Sequence, residues 1–227
     1  MENGYALCTA EGLQRLSSWL AAANPKNIDD LRGHLRIGLH RDVEVIDHVA
    51  STNHIVSQAL CAALPVAYSR VPAPLWVDFA TFVLEAAYEA TLLGGLPQAH
   101  QGRSNVVMLT LLGGGAFGNA QDWIFSAIRR ALPQVRDQDP DIRIVSYSSP
   151  SPDLCNFVEE ANWYLSQRLV CVGRKNAIAC RPNWLVRRIC ALRPLRTLVV
   201  ATRYKAAPRP NFPPFMGADI HASSRCG

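Results

Sequence analysis

No apolar run in this chain reaches the roughly eighteen residues that a membrane-crossing helix needs, so no membrane span is expected. The opening Met1-Glu2-Asn3-Gly4 lacks a basic segment leading into an apolar core, so no secretory leader is expected either. Charged residues are scarce at 18% and hydrophobic ones make up 49%, which excludes a solvated, disordered polymer and fits a globular protein. Acids nearly vanish from the last third. Residues 161–227 hold twelve Lys and Arg against one Asp, whereas residues 1–160 hold eleven against seventeen Asp and Glu. The seven cysteines form no disulfide framework, and Cys171, Cys180 and Cys190 are too widely spaced for a zinc site, with His221 isolated. Cys8 and Cys61 read as small buried residues of a reduced, cytoplasmic protein. No Ser–His–Asp arrangement stands out, and neither a cofactor nor a metal is expected.

What is present is a strand leading into a glycine loop. Val106-Val107-Met108-Leu109-Thr110-Leu111-Leu112 is a continuous apolar run with β-branched members, which reads as a buried, parallel strand. Gly113-Gly114-Gly115-Ala116-Phe117-Gly118-Asn119 follows, where glycines allow positive φ and close backbone approach. An amphipathic helix then starts at about Gln121 and aims its unpaired N–H groups back at the loop. Strand, loop and helix N-terminus together make a seat for a phosphate or diphosphate. A merely tight turn would look the same in sequence. No Lys-Ser or Lys-Thr pair follows the glycines, which argues against a nucleotide triphosphatase loop. The letters Gly113-x-Gly115-x-x-Gly118 match the dinucleotide fingerprint, but no acidic residue closes a second strand about twenty residues on.

Elsewhere, Leu13, Leu16, Trp19 and Leu20 share one face of a helix that stops at Asn24-Pro25, and a short second helix follows over Ile28–Arg32. The stretch Ile37–Asp47 alternates charged and apolar residues in its later part, as a half-buried strand or extended loop would. Ser57–Tyr68 reads as a buried strand ending near Pro65, with His54 and Gln58 flanking it. From Leu75 to Leu93 apolar residues recur at helical spacing, with Gly94-Gly95 as the stop. Ile142–Tyr147 is a further strand. Strand, helix, strand, helix, strand calls for a parallel sheet with right-handed crossovers and helices on both faces.

The segments Leu84–Leu92, Met108–Leu112, Gly114-Gly115-Ala116-Phe117-Gly118 and Ile144-Val145-Ser146-Tyr147, taken together, resemble the second half of a macrodomain, the ADP-ribose-binding α/β module. With Ser57-Gln58 and Ala63–Tyr68 they are similar to a divergent branch that includes bacterial effector enzymes removing ADP-ribose from modified arginine. The resemblance implies a three-layer α/β fold and an ADP-ribose or ADP-ribosylated-protein partner. It implies that the loop amides hold the diphosphate while the Phe117 ring packs on the distal ribose. Gly113, Gly114, Gly115, Ala116, Phe117, Gly118 and Asn119 would thus bind ligand, joined by Ser146 and Tyr147 at the end of the last strand. The family's Asn-Ala-Ala-Asn-like strand end and first glycine loop have no counterpart, so the domain reads as N-terminally incomplete.

For chemistry, the one dense ionisable cluster before the sheet is His40–His48. If extended, it puts Asp42 and Glu44 on one face, with Asp47 following. Such carboxylates could hold a guanidinium or orient water as catalytic groups for hydrolysis of the ribose–nitrogen bond. A solvated strand edge is the plainer alternative. Asn119 and Asp122 are expected to cap the helix after the loop. The resulting division is a helical lead-in over 1–30, the α/β domain over 31–150, and a basic Pro/Cys/Arg-rich tail over 151–227. That tail is expected to be poorly ordered or artefactual, with no nucleic-acid partner. The functions in view are ADP-ribose hydrolysis, non-catalytic ADP-ribose reading, or a degenerate non-binding fragment.

Overall fold

The computed structural model describes residues 4–45, 54–100, 104–138, 140–147, 149–165, 168–173 and 197–201. Two capped helices open the fold. The Thr9 side chain accepts from Gly12 N–H at 3.1 Å to start α1 (Ala10–Ala22), and Asn24 accepts from Lys26 N–H at 2.9 Å, ahead of Pro25, to start α2 (Pro25–His34). Strands β1 (Gly38–Val45) and β2 (His54–Leu60) pair antiparallel. After them come α3 (Val77–His100), β3 (Val106–Thr110), α4 (Gln121–Ala131), β4 (Asp141–Ser146), α5 (Pro152–Leu165), β5 (Arg168–Gly173) and β6 (Thr197–Ala201). The chain is a mixed α/β protein.

The sheet order is β1-β2-β6-β3-β4-β5, with every neighbouring pair beyond β1–β2 parallel. Three successive β–α–β units step across the sheet in one direction. With a constant hand, such crossovers put their helices on the same face. Packing agrees: α4 lies along α3, and the Phe125 ring of α4 stacks on the Phe157 ring of α5 at 4.5 Å between centroids. Beneath them the side chains of Ala59, Val107, Leu109, Ile142, Ile144, Leu169 and Cys171 are buried. The expected helices on both faces are therefore seen on one face only among the described residues, because α1 and α2 pack on α3 and not on the sheet.

Four further expectations are corrected. The boundary at residue 150 does not hold: α5 and β5 continue the β–α–β pattern, and β6 enters the middle of the sheet. Short parallel strands inside an Arg- and Pro-rich stretch, apolar along their length, carry no alternation for a periodicity reading to find. The rest of the expected tail, residues 174–196 and 202–227, lies outside the described residues. The second strand stops at Leu60, and Cys61–Pro65 is loop leading to a 3₁₀ turn at Val66–Tyr68. Gly94-Gly95 does not end α3. A Cβ on Gly94 would stand 3.2 Å from Leu39 Cδ2, so the glycine serves the close approach of helix to strand. Finally, Cys155 on α5 is disulfide-bonded, whereas Cys8 and Cys61 are free thiols.

Helix α3 is apolar nearly all round because it serves two cores. Leu84, Ala87, Tyr88 and Leu92 face the sheet, while Ala80, Phe79 and Val83 join Leu13, Leu64, Val66 and Trp76 in a second cluster. With the turn before it, the stretch Ala73–Leu96 is long and apolar enough by composition to cross a membrane, contrary to the count of apolar runs. Its outer edge is held by charge. Arg32 of α2 donates to Glu85 of α3 at 2.8 Å, and Arg130 of α4 donates to Glu89 at 2.6 Å; both arginines also pair with Asp29. Removing Glu85 would leave Arg32, whose side chain is only 15% exposed, without its main partner.

Tyr88 ties this helix to the end of β3. Its hydroxyl donates to Thr110 C=O at 2.7 Å and accepts from Leu112 N–H at 2.9 Å. Burial pushes the phenol above its usual range, with the Leu112 hydrogen bond opposing, so the group stays a neutral donor. Tyr88→Phe keeps the ring and removes both bonds. It should cost about 1 kcal/mol and lower Tm by about 2–4 °C for a chain of this size, read by thermal unfolding followed by circular dichroism. An unchanged Tm would show that the Leu112 N–H bond to Thr110 C=O at 2.9 Å suffices.

Candidate functional site

The glycine loop emerges at the C-terminal end of β3 and is clamped to the loop that follows β2. Gly113 has φ +78°, and a Cβ there would lie 2.4 Å from Ala63 Cβ and 2.6 Å from Asn119 Nδ2. Gly118 has φ +69°, with Ala67 Cβ at 2.8 Å from the same imagined atom. Both positions need glycine twice over, for backbone conformation and for room. Ala67 N–H donates to Phe117 C=O at 2.9 Å, and the Asn119 amide donates to Leu64 C=O at 2.8 Å. Asn119 is 4% exposed, so its side chain is a buried tie between loops and not the helix cap expected of it. The N-cap of α4 is Ala120, which offers no side-chain bond; Asp122 lies in the first turn.

Between those two glycines the loop is open. Gly114, Gly115 and Ala116 are exposed. Gly114 N–H is spent on Leu111 C=O and Gly118 N–H on Gly115 C=O, each at 3.0 Å, so two of the amides expected to hold a diphosphate are already committed. Asn119 N–H likewise donates to Gly113 C=O. Among the described residues, the N–H groups of Gly115, Ala116 and Phe117 have no hydrogen-bond partner. Three consecutive donors thus stand beside a helix start whose N-cap, Ala120, makes no side-chain hydrogen bond.

Phe117 is half-buried. One side packs on the main core, and its ring meets Tyr68 edge-on at 5.4 Å and Tyr5 at 6.1 Å; Tyr5 and Tyr68 meet at 5.2 Å. The ring plugs the strand end. Neither tyrosine carried a signal in the sequence, because the three rings come from segments far apart in the chain. Ser146 closes β4, half-buried, and Tyr147 just beyond it is 82% exposed. Thr110 pairs with Val145, so these two residues do lie at the loop's end of the sheet.

The carboxylates do not. Strand β1 is separated from β3 by β2 and β6, about 14 Å at roughly 4.8 Å per strand. Glu44 pairs with Ile55, at the end of the sheet away from the glycine loop. Asp42 sits in a register break between His40 and Val43 with φ +53°, its N–H 3.3 Å from Ser57 Oγ. This bulge breaks the alternation that would have set Asp42 beside Glu44 on one face. Asp47 lies outside the described residues. His54 and Gln58 belong to β2 itself.

Cys61 is a core thiol: burial pushes its pKa up, opposed by a hydrogen bond with Thr91. Among the described residues no group of three His, Cys, Asp or Glu is placed to hold a metal ion. A separate cleft of about 470 Å³ opens between α1, α2, α3 and α4, lined in part by Leu20, Ile28, Phe82, Asp122 and Trp123. It shares the first turn of α4 with the glycine loop but none of the loop's exposed residues. Compared with known proteins, the chain matches no family model, and no curated protein matches it.

The loop clamp gives a direct stability test. Gly113→Ala should destabilise the protein by about 2–3 kcal/mol, combining strain at positive φ with overpacking, measured by chemical denaturation. Adding Ala63→Gly should recover part of that loss, since it removes the nearest clashing atom. If the double variant is no better than the single one, the contact with Ala63 is not what makes Gly113 necessary.

Proposed function

We propose that the loop Gly113–Asn119 binds a diphosphate-bearing nucleotide sugar, and that ADP-ribose, free or attached to a protein, is that ligand. The observation that carries this reading is the row of three free N–H donors at Gly115, Ala116 and Phe117, exposed next to an uncapped helix N-terminus. Such a row suits the oxygens of a diphosphate, and the dipole of α4 favours the same charge. The resemblance of the β3–loop–α4–β4 stretch to a macrodomain names the nucleotide. On this reading the chain is a divergent macrodomain acting in the cytoplasm, its described helices covering one face of the sheet.

The reading stops at binding. Hydrolysis would draw on Asp42, Glu44 and Asp47; the first two lie on β1, three strands from β3, and Asp47 lies outside the described residues. A reader module that holds ADP-ribose without cleaving it therefore fits the geometry better than an ADP-ribosyl hydrolase.

Calorimetric titration of ADP-ribose into the full chain, with AMP as control, tests the proposal. Saturable binding of ADP-ribose should be at least tenfold tighter than that of AMP, which lacks the diphosphate. Gly115→Glu, placing a carboxylate among the donors, should abolish binding while leaving the thermal melt in place. Asp42→Ala and Glu44→Ala should leave affinity unchanged. A folded protein that takes up no ADP-ribose would remove the proposal.

A further inference from the structure

Residues Gly4–Thr9 run past the glycine loop before entering α1. Ala6 and Cys8 pack into the second core cluster, and Thr9 caps α1, so the segment is anchored on one side of its backbone. Tyr5 sits at an intervening position, half-buried, and edges onto both Tyr68 and Phe117. Half-buried Phe117 packs on the main core, and Tyr68 and Tyr5 meet its ring edge-on. By the macrodomain resemblance, a ligand whose phosphates sit on the N–H groups of Gly115–Phe117 lays its next sugar on the Phe117 ring, which Tyr5 already edges.

We propose that Tyr5 is an autoinhibitory ring that closes the sugar subsite beside Phe117 and must swing away before a nucleotide sugar can seat. The inference rests on the anion-binding reading of the loop given above. Its energetic basis is small enough to be reversible. Two edge-to-face contacts hold the ring, and contacts of that kind are individually weak. The closed form taxes affinity by the fraction of molecules that are open. Inorganic pyrophosphate needs the donors but not the sugar subsite, so it should not feel the ring.

The test is a pair of titrations on the full chain, ADP-ribose and inorganic pyrophosphate, into unaltered protein, Tyr5→Ala and Tyr5→Phe. Tyr5→Ala should bind ADP-ribose about five- to thirtyfold more tightly, with pyrophosphate affinity unchanged and Tyr5→Phe like the unaltered chain. Equal ADP-ribose affinity in all three would leave the loop site standing and overturn the gate. Weaker binding by Tyr5→Ala would make the ring a ligand contact, which also overturns it. Failure of every form to bind either ligand would remove the loop reading and the gate together. Proton NMR of the unaltered protein covers the case in which Tyr5→Ala does not fold. Saturating ADP-ribose should move the Tyr5 ring resonances towards free-tyrosine positions, and unmoved resonances at saturation would overturn the gate.

Discussion

The contact on which the functional end of this protein depends is the interlock between the loop after β2 and the loop after β3. Two glycines at positive φ allow the second loop to lie directly on Ala63 and Ala67 of the first. The buried Asn119 amide and the Phe117 carbonyl then join the loops through hydrogen bonds. The ends of the glycine loop are thus held, while in its middle the N–H groups of Gly115, Ala116 and Phe117 meet no acceptor among the described residues.

Behind the interlock stands α3. It contributes to both hydrophobic clusters, and it reaches the loop through Tyr88, whose hydroxyl bridges the last residue of β3 and the start of the loop. Along its other edge, Glu85 and Glu89 take the guanidinium groups of Arg32 and Arg130, so α2 and α4 are fixed to the same helix. These pairs are partly buried, where pairing matters because an orphaned charge is costly. The path from α3 to the glycine loop is thus one of hydrogen bonds and packing.

Much of the local structure was legible. The helix at Gln121, the strand before the glycines and the strand at Ile142 appear where side-chain pattern placed them, because each has a strong apolar face of the right period. Reading failed where one signal served two causes. Gly94-Gly95 looked like a stop but marks a close helix–strand approach, and Asn119 looked like a cap but bridges two loops. The alternation over Asp42 and Glu44 suggested a paired carboxylate site, yet a bulge at Asp42 spoils the register. In the Arg-rich stretch after residue 150, the short apolar strands β5 and β6 lack any alternation, so they left no trace.

By itself, the sequence determined the β–α–β alternation and the glycine loop's place between a strand and a helix, since each follows from neighbours within a few residues. Tertiary structure decided which loop amides remain free, which strand sits in the middle of the sheet, and how far Asp42 and Glu44 stand from the loop. It also decided that Tyr5, Tyr68 and Phe117 should meet. Those outcomes depend on contacts between residues tens of positions apart. Local pattern cannot encode them, because the partner that spends a donor or fills a space is chosen only when the chain packs.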